Sequence, residues 1–140
     1  MKNVVTFETA RALTEAGFPQ PQPEAGQAWY IPTKTPGLIY ITHVGEYYVH
    51  YAWDKDYESH ALGSSKVNVE SFFGAKPIFA PMTVDILREF GNGFGLTIYD
   101  SMWAVEDMYT DCPETYGKHM YSPAEACAFA YLKINKKPKP

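Results

Sequence analysis

Four histidines and two cysteines are the side chains of this 140-residue chain best suited to ligate a metal ion, act as a nucleophile or carry a proton. His43 and His50 fall within Leu38–Trp53, a stretch dense in aromatic and β-branched residues that reads as two strands around Gly45. With Gly45 and Glu46 as a two-residue hairpin turn, Val44 faces Tyr47, His43 faces Tyr48 and Ile41 faces His50. Alternation then sets His43, Tyr48 and His50 on one face, and Tyr47, Val49, Tyr51 and Trp53 on the other. The two imidazoles sit diagonally in that register, within reach of an ion that Asp54, His60 or an acidic residue from another loop would have to help hold. The spacing has neither the one-turn pair of a metalloprotease helix nor the close pairs of a zinc finger. His43 and His50 therefore read as ordinary strand residues, and no metal and no cofactor is assigned.

Other chemistry-bearing patterns fail at a named position. Asp54-Lys55-Asp56-Tyr57-Glu58 opens like a calcium loop, but Ser59 stands where the sharp turn needs Gly and Ser65 where a bidentate Glu belongs. Gly91-Asn92-Gly93-Phe94-Gly95 follows a predicted helix and precedes a predicted strand, the reverse of the order in phosphate-binding glycine loops. No G-x-S-x-G elbow occurs, and Gly63-Ser64-Ser65-Lys66 lies in a polar stretch. Cys112 is surrounded by Asp107, Asp111 and Glu114, whose charges disfavour a thiolate. Cys112 and Cys127 lack C-x-x-C spacing and read as free structural thiols of a reducing compartment. Asp100, Glu106, Asp107 and Asp111 have no spacing that by itself brings two carboxylates to catalytic separation.

The elements that would position these groups are marked mainly by caps and breakers. Thr6 caps a helix over Phe7–Ala16, Gly17 suits its left-handed end, and Pro19 forbids continuation. Residues 19–26 alternate Pro with polar residues, an extended connector. Trp29–Ile31, Leu38–Val44 and Glu46–Trp53 read as strands, Asp54–Lys66 as a loop, and Val67–Phe73 and Ile78–Ala80 as short strands. A helix is expected over Thr83–Phe90 and a hairpin over Phe94–Tyr99 and Met102–Met108. Ser122-Pro123-Ala124-Glu125 then opens a helix to Ile134, with Ala124, Cys127, Ala128, Tyr131 and Ile134 along one stripe. The expected fold is α+β: a single, mostly antiparallel sheet with about three helices packed on it. It forms one domain over residues 1–135, with a flexible basic tail at 136–140.

Three segments carry a resemblance. Thr6-Phe7-Glu8-Thr9-Ala10-Arg11-Ala12-Leu13-Thr14-Glu15-Ala16-Gly17-Phe18, Ala80-Pro81-Met82-Thr83-Val84-Asp85-Ile86-Leu87-Arg88-Glu89-Phe90 and Ser122-Pro123-Ala124-Glu125-Ala126-Cys127-Ala128 resemble a family of small uncharacterised proteins encoded in bacterial and bacteriophage genomes. In that family a capped helix ending in Gly-Phe, a central helix and a final Ser…Glu-Ala helix bracket variable strands. The resemblance implies a phage or mobile-element origin and no catalytic residue.

Function is bounded by composition. A formal net charge of -4 gives no general attraction for a polyanion, so a nucleic-acid polymer is disfavoured as partner. No apolar run approaches membrane-spanning length, so the expected setting is cytoplasmic with no membrane partner. The 11 Tyr, 3 Trp and 8 Phe exceed what one core of this size readily buries, and some should line a groove or an interface. Trp29, Tyr40, His43, Tyr48, His50, Trp53 and Trp103 are the candidate ligand-binding residues, and no catalytic residue is assigned. The leading reading is a non-enzymatic, phage-type accessory protein that binds a small molecule or a host protein through an aromatic face; a homo-oligomer is compatible with it. A nucleotide-derived signal is one specific ligand, with Lys34, Lys55, Lys66, Lys76 or Lys118 supplying charge. A small hydrolase using His43 or His50 with Asp54, and a structural or self-assembling protein, are the alternatives.

Overall fold

A computed structural model of the chain describes residues 4–54, 65–90, 94–99, 102–107, 115–119 and 122–135. The elements run α1 (Phe7–Glu15), β1 (Ala28–Ile31), β2 (Gly37–Val44), β3 (Tyr48–Trp53), β4 (Ser65–Asn68), α2 (Val69–Gly74), β5 (Ile78–Ala80), α3 (Thr83–Phe90), β6 (Phe94–Tyr99), β7 (Met102–Asp107), β8 (Thr115–His119) and α4 (Pro123–Ile134). The class is α+β, mostly antiparallel. The strands divide between two sheets where one was expected, and the described residues hold four helices where about three were expected. Two compact units result: Pro19–Ala80, and Met1–Phe18 together with Pro81–Pro140.

The Pro19–Ala80 unit is a five-stranded antiparallel sheet in the order β4-β3-β2-β1-β5. The Pro-rich connector is tied to it: Gly26, at φ +92°, donates its N–H to Ile41 O at 2.8 Å, and Ile41 N–H returns to Gln27 O at 2.9 Å. One sheet face carries Trp29, Ile39, Ile41 and Val49, all buried. There the Trp29 ring meets Phe72 of α2 edge-on at 5.5 Å and Phe79 of β5 at 5.2 Å. Gly37 lies directly beneath the Trp53 ring, which occupies the space where a Cβ would stand.

The strand expected over Val67–Phe73 is instead the end of β4 and the helix α2. Asn68 makes the switch, its Oδ1 accepting the Ser71 N–H at 2.7 Å while Glu70 sits in the first turn. Ser65 and Lys66, read as loop, pair with Tyr51 and His50 in β4.

The second unit carries the sheet β6-β7-β8 with α1, α3 and α4. Thr6 caps α1 and accepts the Thr9 N–H. The far end closes as expected from Gly17: at φ +91° it donates to Thr14 O, and Phe18 N–H reaches Leu13 O at 2.9 Å. Phe18 then packs edge-on against Tyr131 at 5.1 Å. In α3, Asp85 Oδ2 accepts the Met82 N–H at 2.8 Å, the return half of a capping box.

Ser122 caps α4 by accepting the Glu125 N–H, with Pro123 in the first turn. Ala124, Ala126, Cys127, Ala128 and Ala130 are all fully buried, so this helix is covered on more than the single stripe its spacing suggests. Ile134, assigned to that stripe, is 41 % exposed at the last position of the helix. Glu125 is 4 % exposed: Oε1 accepts the Thr6 N–H at 2.6 Å and Oε2 the Thr9 hydroxyl at 2.7 Å. The third residue of α4 thus completes the cap of α1 instead of its own. No helix among the described residues is long and apolar enough to cross a membrane.

Candidate functional site

The outer face of the five-stranded sheet gathers exposed ring-bearing and charged side chains, and one irregularity in β2 decides which. Ile39, Tyr40 and Ile41 pair with Trp53, Ala52 and Tyr51, but the register then slips, so that His43 pairs with His50 and Val44 with Val49. Thr42 falls in the slip. Had pairing continued without it, His43 would oppose Val49 on the buried side; the extra residue instead turns Val44 inward and His43 outward.

The hairpin therefore differs from the two-residue turn expected at Gly45–Glu46. Residues 45–47 separate the strands, Gly45 donating its N–H to Tyr48 O at 2.9 Å, and His43 meets His50 where Tyr48 was expected. The register change is two residues at this end, and two is the period of a strand. His43, Tyr48 and His50 consequently still share a face.

On that face His43 is exposed and His50 half-buried, with ring centroids 5.4 Å apart and planes inclined at 55°. Tyr48 is 43 % exposed, and Tyr47 in the turn 67 %. Lys66, the register partner of His50 on β4, lays its ammonium 4.2 Å from the Tyr48 ring centre, a cation–π contact worth about 0.5–1 kcal/mol at an exposed site. The cluster offers a π surface, two imidazoles and one positive charge from three adjacent strands.

The remaining sequence-predicted residues stand elsewhere. Tyr40 is on the outer face but half-buried, paired with Ala52 and Ala28. Trp29 and Trp53 are on the opposite face, Trp29 in the core and Trp53 half-buried. Trp103 is a half-buried β7 residue of the second unit, paired with Ile98 and His119. Of the candidates, His43, Tyr48 and His50 are brought together. Lys34 is an exposed residue between β1 and β2, and Lys76 follows α2. Residues 55–64, 91–93, 100, 108–114 and 136–140 lie outside the described residues, and with them most of the calcium-like loop, His60, Lys55, the glycine cluster, Cys112 and the basic tail.

A second feature is a cavity of about 90 Å³ between α2 and the inner face, lined by Tyr51, Trp53, Val67 and Phe72. Apolar cavities that take up benzene are larger, roughly 150 Å³. The cavity admits at most a fragment of an aromatic ligand, whereas the outer face is open.

Cys127 is fully buried, and that burial pushes its thiol up to about 12. It is an inert packing residue rather than a nucleophile. Tyr131 is raised as well, by burial first and by the Glu89 charge second.

The chain matches no protein-family model, no curated protein and no solved structure.

Proposed function

We propose that the chain is a non-enzymatic, phage-type accessory protein whose recognition surface is the outer face of the five-stranded sheet, and whose ligand is a planar, anionic small molecule of the nucleotide class. One observation carries the reading: Tyr48, His43, His50 and Lys66 converge on an open face, joining stackable rings to a cation. A base stacked on such a ring contributes about 1–3 kcal/mol, and a phosphate near Lys66 adds a charge-assisted contact. The helix-cap resemblance supports the phage assignment.

Titration calorimetry with nucleoside monophosphates and cyclic dinucleotides at low salt tests the reading. Binding should weaken in Tyr48→Ala and Lys66→Ala, and should fall with rising salt. Wild-type protein that binds none of these compounds at millimolar concentration, or variants that bind as well as wild type, would refute it.

A further inference from the structure

The register slip at Thr42 has brought two imidazoles into direct cross-strand opposition, and this suits a different ligand from a stacked base. We propose that His43 and His50 form a bidentate site for a divalent transition-metal ion of the zinc and copper class. Two imidazoles on a tetrahedral ion, each nitrogen about 2.0–2.1 Å from the metal, place their ring centres roughly 5 Å apart. His43 and His50 already stand 5.4 Å apart as register partners. Diagonal neighbours would have Cα atoms about 7–8 Å apart, so the slip and not the composition creates the pair.

Both side chains are on strands fixed by the sheet, so once one nitrogen binds, the second meets the ion at a high effective concentration. Imidazole nitrogen selects Cu²⁺, Zn²⁺ and Ni²⁺ over Mg²⁺ and Ca²⁺. No third His, Cys, Asp or Glu joins the pair among the described residues, which therefore supply two of the ion's ligands. Lys66 is the register partner of His50, and its charge opposes a cation there.

The experiment is titration calorimetry of tag-free protein with ZnCl₂ and with CuCl₂ alone, paired with melting curves in each metal. The expected result is one ion per chain, tighter for Cu²⁺ than for Zn²⁺, with no response to Mg²⁺. His43→Ala and His50→Ala should each weaken binding about tenfold or more, and the double variant should lose less than the sum of the two single losses, because the chelate advantage is already gone with the first ligand. Lys66→Ala should tighten metal binding, whereas it should weaken nucleotide binding, so the two assignments fail separately. Absence of metal uptake by wild type at submillimolar concentration, additive losses in the two single variants, or loss of binding in His60→Ala or His119→Ala with His43 and His50 intact would overturn the proposal. Circular dichroism of each variant verifies the fold.

Discussion

Glu125→Ala should destabilise the protein by about 3–5 kcal/mol, because the carboxylate serves two donors at the start of another helix, the Thr9 hydroxyl buried and the Thr6 N–H partly so. Its Oε1 accepts the Thr6 N–H at 2.6 Å and its Oε2 the Thr9 hydroxyl at 2.7 Å, with the residue 4 % exposed. A hydrogen bond to a charged group contributes about 1.5–3 kcal/mol, and truncation leaves both donors without that acceptor. The carboxylate also sits in the first turn of α4 and at the start of α1, where the positive ends of both helices favour an anion. Water entering the space left by the side chain would recover part of the loss. Against a total stability of about 5–15 kcal/mol, the remainder is large. Glu125→Gln keeps the shape and one acceptor, so it should cost less, about 1–2 kcal/mol. Thr9→Val removes two bonds at nearly constant volume, the one its hydroxyl donates to Glu125 and the one it accepts from the Thr6 hydroxyl, and should cost about 1–3 kcal/mol. The informative measurement is a urea-denaturation cycle of Glu125→Ala, Thr9→Val and the double variant, with slopes checked for constancy. Coupling of about 1 kcal/mol or more is expected. A Glu125→Ala variant within about 0.5 kcal/mol of wild type, or strict additivity, would show that the bond geometry does not support α1.

Three further outcomes follow from other parts of the molecule. Cys127 ionises near 9.0 when exposed and at about 12 in the fold, so stability from its burial is complete below pH 9 and is lost as the pH rises from 9 to 12, where the unfolded chain alone releases the proton; the slope is about 1.4 kcal/mol per pH unit. Tyr131, raised by burial and Glu89, acts in the same sense, so Cys127→Ala should flatten the alkaline limb without removing it, and urea midpoints at pH 8, 9.5 and 10.5 that superimpose for the two proteins would contradict this. Lys76 ends α2 at φ +52°, where a side chain is disfavoured, and Lys76→Gly should raise stability by about 0.5–1 kcal/mol in thermal melts; a decrease would refute the strain. In Gly37→Ala the new methyl must displace the Trp53 ring, costing about 1–3 kcal/mol and shifting tryptophan emission, and an unchanged spectrum would disprove the contact.

The helix ends were legible in the sequence, because each rests on hydrogen bonds within a few residues of chain. Thr6, Gly17 and Ser122 act where their types require, and Pro123 opens α4 as its fixed φ allows. The sharing of one face by His43, Tyr48 and His50 was also legible, since strand alternation is local and survives a two-residue change of register. The Asn68 switch had a local signal, a capping side chain followed by Glu70, which the β-branched and aromatic run around it outweighed. Tertiary structure alone decided the rest. The slip at Thr42 trades one unpaired residue for turning Val44, half-buried, to the core side, a choice no neighbouring residue dictates, and it makes a facing pair of His43 and His50. Glu125 has the spacing of a cap for its own helix, yet Thr6 and Thr9 arrive from far along the chain to take it. Division into two sheets likewise depends on which strands pair at a distance, and those pairings are set by packing across the whole chain.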